Sequence, residues 1–119
     1  MRFMVMHYST ENDEAGVPPT PEKVAEIGKY MEECVQSGVL LAGEGVRPSS
    51  YGARVTISDD GEATVTDGPF AEAKELIAGF AILDVKSKDE AIEHAKRWAQ
   101  VSGSPKIDVR QVAEFSDFE

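Results

Sequence analysis

Two runs of this chain are apolar at consecutive positions, and they limit what it can fold into more than any other feature. Phe3-Met4-Val5-Met6 and Phe80-Ala81-Ile82-Leu83 show no alternation. A strand with one face in water alternates apolar and polar side chains, so both runs read as strands buried on both faces. Whatever sheet contains them needs cover on each side.

The flanking elements supply one of those covers. Phe3–Tyr8 reads as the first strand and Ser9–Pro19 as a polar loop. Thr20 then offers an N-cap, Pro21 suits the first helical position and Glu22 favours the positive end of the helix dipole. Val24, Ile27, Met31, Cys34 and Val35 recur at helical spacing, and Gly38 suits the C-terminal end. Val39–Val46 reads as a second strand. Ala53–Ser58 and Glu62–Thr66, joined by Asp59-Asp60-Gly61, carry a strong hairpin signal. Asp67–Leu76 breaks the pattern at Gly68-Pro69, as a loop or a short helical turn. After the strand Ala78–Val85, Ser87 and Glu90 stand at capping-box spacing before a second helix. Its apolar stripe is Ala91, Ile92, Ala95, Trp98 and Ala99. Gly103 and Pro105 end it, Ile107–Phe115 reads as the last strand, and Ser116–Glu119 reads as a frayed tail.

The order is β-α-β, hairpin, β-α-β. Without the hairpin it is the split βαβ pattern of an α+β, ferredoxin-like antiparallel sheet with two helices on one face. Two helices cover only that face. A second copy packed sheet against sheet is the simplest cover for the other, which predicts a homodimer, a dimeric α+β barrel.

A length of 119 residues and a hydrophobic content of 41% fit one domain, 1–119, with one core. The 22 Asp and Glu against 12 Lys and Arg give a formal charge of −10, and the basic residues are scattered singly. Such a surface repels phosphates and anionic lipid, so neither nucleic acid nor membrane is expected as a partner. Cys34 is the only cysteine, which excludes an intramolecular disulfide and a cysteine-based zinc site. Met1–Tyr8 lacks a basic leader with a long apolar stretch behind it, and no segment approaches the ~20 apolar residues of a membrane span. The expected location is the cytoplasm.

The string Asp67-Gly68-Pro69-Phe70-Ala71-Glu72-Ala73-Lys74-Glu75 resembles the signature of the DGPF (DGPFAETKE) family of YCII-related proteins. It departs from that signature only at Ala73, where the pattern has threonine. Leu41-Ala42-Gly43-Glu44-Gly45 and the stretch from Gly79 to Val85 resemble the neighbouring segments of the family. The resemblance implies a ferredoxin-like fold that dimerises into a barrel. Some members are encoded beside, or fused with, extracytoplasmic-function sigma factors, which implies a regulatory alternative with a protein partner. YCII-like relatives have been suspected of enzymatic activity because a His and an Asp meet in a pocket. The residues around His7 do not match that histidine's surroundings.

Several residues have chemistry to offer, each with a structural reading beside the functional one. Asp67 ends a strand before Gly-Pro and is either an acid/base carboxylate in a cleft or a residue bonded within its own turn. Glu44, between Gly43 and Gly45, is a ligand contact or an outward residue beside a bulge. Glu72, Lys74 and Glu75 hold a polar ligand or brace their loop through ion pairs. His7 could serve as a general base beside Asp67, or it is a hydrogen-bonded core or interface histidine, since it shares strand parity with Phe3 and Val5. Arg110, opposite in parity to Ile107 and Val109, anchors an anion inside the barrel or lies on the surface. His94, at the edge of its helix stripe, reads as structural or exposed, and Cys34 as an inert buried thiol. The carboxylates match no metal motif, and neither a metal nor a cofactor is expected. The leading expectation is a small-molecule-binding dimer with carboxylate-based acid/base chemistry of the isomerase or lyase type. A non-catalytic interaction module, or a relic whose signature merely folds a loop, are the alternatives.

Overall fold

A computed structural model describes residues 1–71 and 75–119. The strands are β1 (Arg2–Tyr8), β2 (Leu40–Gly45), β3 (Ala53–Ile57), β4 (Ala63–Asp67), β5 (Ile77–Asp84) and β6 (Ile107–Gln111). The helices are α1 (Glu11–Glu14), α2 (Pro21–Gln36) and α3 (Lys88–Ser102), with 3₁₀ turns at Ser49–Tyr51 and Phe115–Phe118. Four strands form one sheet in the order β2-β5-β1-β6, every neighbouring pair antiparallel. This is the ferredoxin-like α+β arrangement, with the two apolar runs, β1 and β5, side by side at its centre. Among the described residues β3 and β4 pair only with each other, Val55 opposite Val65 and Ile57 opposite Ala63. Among the described residues no helix is long and apolar enough to cross a membrane.

Both long helices lie on one face, α3 over β1 and β6, and α2 against α3 and β2. Thr20 caps α2 by accepting the Lys23 N–H at 3.2 Å, and Ser87 caps α3 by accepting the Glu90 N–H at 3.1 Å. Gly38 at φ +78° and Gly103 at φ +75° take the left-handed turn that ends each helix. The core between helices and sheet is Phe3, Val5, Ala81, Leu83, Val85, Ala91 and Ala95, with Val39, Leu40, Ile107 and Val109 packed against it.

Register fixes the opposite face. Met4 pairs with Ile82 and Arg110, and Met6 pairs with Phe80 and Asp108. Ala42 and Glu44 continue these two rows on β2. The face away from the helices therefore has an apolar centre, with Glu44 at one edge strand and Arg110 at the other.

Three sequence expectations change. Val24 and Val35 do not face the core: they are 54% and 58% exposed, while Tyr30 and Cys34 are the buried residues of α2. The inward stripe is Ile27, Tyr30, Met31 and Cys34, because Tyr30 can bury its ring while its hydroxyl meets His94 Nδ1 at 2.9 Å. The segment Ser9–Pro19 contains the helical turn α1, held by a capping box in which Thr10 and Asp13 satisfy each other's backbone N–H groups at 2.9 and 3.0 Å. The last strand stops at Gln111, opposite Phe3, and Phe115–Phe118 turns as a 3₁₀ helix where a frayed tail is expected.

Candidate functional site

His7 ends the helix-facing row of β1, where the sheet runs out beyond the core. It stands opposite Gly79 on β5 and Ile107 on β6. A Cβ at position 79 would lie 2.5 Å from His7 Nε2, so glycine there makes room for the imidazole. Trp98 of α3 packs edge-on against the ring, with centroids 6.2 Å apart and planes at 65°. The other side of His7 opens into a cleft of about 720 Å³. Val17, Pro18 and Ile27 give the cleft an apolar wall, and Asp13, Lys23 and Ser104 give it polar groups.

Burial lowers the His7 pKa, and the Asp13 carboxylate partly opposes that shift. At neutral pH the ring is therefore the neutral imidazole, able to take up a proton. The same shift makes stability depend on pH. The unfolded histidine takes its proton near its ordinary value of about 6.5, and the folded one only below that. Stability is therefore complete above the unfolded value and falls as the pH drops through the lowered folded value. Urea titrations at about pH 7.5 and about pH 5 should show that part of the acid loss vanish in His7→Gln. An unchanged acid loss in the variant would deny the lowered pKa.

The signature segment braces the cleft from outside. Ser49 donates both its N–H and its hydroxyl to the Glu14 carboxylate, and its oxygen accepts the Phe70 N–H at 2.8 Å. The Gly68 N–H donates to the Gly52 carbonyl at 3.0 Å, and the Arg54 guanidinium lies 4.2 Å over the Phe70 ring. Glu14 belongs to the same helical turn as Asp13, so this latch ties one wall of the cleft to the start of the signature.

The sequence-predicted residues do not converge. Asp67 ends β4 opposite Ala53, is exposed, and does not line the His7 cleft. Glu44 and Arg110 are exposed residues on the sheet face away from the helices, whereas His7 is on the helix side. Glu72 and Lys74 lie outside the described residues. Sequence reasoning missed Asp13 and Lys23. The Thr10…Asp13 capping spacing and the place of Lys23 just after Thr20-Pro21 were the signals that could have found them.

A second hollow, of about 580 Å³, runs between α2 and α3 beside Tyr30, Cys34, His94 and Arg97. Four of its polar groups are engaged in pairs, Tyr30 with His94 and Arg97 with Glu33 at 2.9 Å. Burial pushes the Tyr30 phenol and the Cys34 thiol to higher pKa, away from neutral acid/base work. The His7 cleft is the better candidate.

The sequence model of the YCII-related domain matches residues 1–116. An uncharacterised protein of Rhizobium meliloti (strain 1021) is 33% identical over 98 residues, 81% of this chain and 78% of that protein. Among solved structures, the 5-chloro-2-hydroxyhydroquinone dehydrochlorinase of Burkholderia phenoliruptrix, in complex with 2,5-dihydroxybenzoquinone, overlays with a TM-score of 0.55 at 13% identity. The overlay covers 98% of both chains. An Arabidopsis thaliana protein overlays with a TM-score of 0.41 at 15% identity over 95% of this chain and 93% of its own.

Proposed function

The chain belongs to the YCII-related domain family, and from that premise we propose a small-molecule-binding homodimer in which His7 is a general base for proton transfer of the isomerase or lyase type. The observation that carries this reading is the setting of His7: a neutral imidazole on rigid β1, backed by Trp98, with glycine opposite and a cleft in front. A base must be unprotonated at the working pH and have room for a substrate beside it; burial keeps the His7 ring neutral, and the cleft gives the room. Asp13 supplies the nearby negative charge that supports an imidazolium once formed. The likeness to the dehydrochlorinase, at 13% identity, supports the fold, while the chemistry rests on His7 and its surroundings. On the Asp67–Phe70 string we assign the chain to the DGPF branch, and we give that string a bracing role in place of the acid/base role expected for Asp67.

The dimer in this proposal follows from the face that the helices leave open. Met4, Met6, Phe80 and Ile82 sit at its centre with Glu44 and Arg110 at its edges, the pattern of an apolar interface core with a polar rim. Sheet-on-sheet packing of two copies would cover it and close a barrel.

Native mass spectrometry, before and after exposure to a metabolite extract, tests the reading. The wild type should be a dimer that retains a reproducible small-molecule mass. His7→Gln should lose that mass and Asp67→Asn should keep it. Loss in Asp67→Asn with retention in His7→Gln would move the site to the signature loop and refute the assignment.

A further inference from the structure

We propose that the His7 cleft takes small organic acids or ring compounds bearing an ionised oxygen, and that Lys23 is the anchor for that oxyanion. The proposal rests on the His7 cleft being the binding site. When a base removes a proton from carbon beside a carbonyl, the C–H bond breaks and an N–H bond forms on the imidazole. The electron pair moves to the carbonyl oxygen, and returning the proton to another carbon completes an isomerisation with nothing else consumed. The negative charge on oxygen needs a fixed counter-charge, and supplying one is usually the largest electrostatic contribution a site makes.

Two acidic or basic side chains besides His7 line the cleft among the described residues, Asp13 on α1 and Lys23 on α2. Asp13 repels an oxyanion, and its carboxylate already accepts the Thr10 N–H. Lys23 is free to serve. Its side chain is only 34% exposed, and its one ion pair among the described residues, to Glu26, is stretched to 4.0 Å. Glu26 is itself 61% exposed, and so loose a surface pair gives way at little cost. Val17, Pro18 and Ile27 then form an apolar wall suited to the ring or alkyl part of such an acid. The charged groups that line the cleft with His7 are Asp13 from α1 and Lys23 from α2, and the uncharged Trp98 of α3 packs against the ring.

Benzoate and its neutral counterpart benzamide, titrated into the full chain while the His7 ring proton is followed by NMR, separate the possibilities. Benzoate should move the resonance saturably and raise its titration midpoint, because anion binding and histidine protonation favour each other. Benzamide should bind at least about tenfold more weakly. Lys23→Met should weaken benzoate about tenfold and leave benzamide unchanged, and Lys23→Arg should keep benzoate binding. Equal binding of the two probes, or benzoate binding that survives Lys23→Met, overturns the oxyanion anchor while the cleft itself stands. A His7 resonance that neither probe moves overturns both the anchor and the cleft.

Discussion

Replacing Gly68 by alanine is expected to cost about 3 kcal/mol or more and to release the start of the signature from the body of the domain. A Cβ at position 68 would fall 1.7 Å from the Ser49 carbonyl oxygen and 2.5 Å from its carbonyl carbon. Both are backbone atoms, and Ser49 is pinned by the Glu14 carboxylate, so no rotamer change can relieve the overlap. The turn must move, and the Phe70 N–H then loses the Ser49 oxygen and the Gly68 N–H loses Gly52. Gly61, at the far end of the β3–β4 arm, is the control. It sits at φ +86° with nothing within 4 Å of an added Cβ, so Gly61→Ala strains the backbone by only about 1–2 kcal/mol. Urea denaturation should rank the two variants in that order. Amide exchange should show Val55 and Val65 losing protection first in Gly68→Ala. A Gly68→Ala protein as stable as the wild type would mean that Ser49 and Gly68 are not in contact.

That contact also shows where reading the sequence reaches its limit. The helix ends were legible because a cap is a local device: Thr20 and Ser87 bond to residues three positions on. The central strands were legible because Met4, Met6, Phe80 and Ile82 break the alternation that a wetted strand needs. The inward turn of Tyr30 was not, since its partner His94 is on another helix, and a tyrosine without a partner reads as a surface residue. The last strand was drawn too long for a similar reason. Val112, Ala113 and Phe115 look strand-like, but the pairing of β6 with β1 ends at Gln111 opposite Phe3; the Val112 N–H still reaches the Arg2 carbonyl at 2.9 Å before the chain turns into the 3₁₀ helix at Phe115. Asp67 drew attention as the first residue of a recognisable string, yet the glycine after it has the tighter contact, with a serine from a distant loop that no local pattern announces. The strand parity that His7 shares with Phe3 and Val5 is legible in the sequence, and the register sets His7 opposite Gly79 and Ile107. Its surroundings, Asp13 in an apparent loop and Lys23 in a helix first turn, are brought together only by the chain's path around the end of the sheet.

Phe80→Glu is expected to leave the fold intact and to raise the dimer dissociation constant at least about a thousandfold. Phe80 lies on the sheet face away from the helices, directly opposite Met6 on β1 and Glu44 on β2. In an isolated chain a glutamate there stays in water, so its own folding suffers only through repulsion with Glu44, about 1 kcal/mol at most for a cross-strand pair. In a face-to-face dimer the same carboxylate would be buried once from each copy against methionine and isoleucine, with no partner to offset its lost hydration. Glutamate is the informative choice because a lysine at this position could pair with Glu44 and hide the effect. Sedimentation velocity should show a dimer for the wild type and a monomer for Phe80→Glu at the same concentration, with superimposable far-ultraviolet circular dichroism. Glu44→Gln and Arg110→Gln, at the rim, should change association by about tenfold or less. A wild type that sediments as a monomer, or a Phe80→Glu dimer as tight as the wild type, would require something other than a second copy of the chain to cover the apolar centre between Glu44 and Arg110.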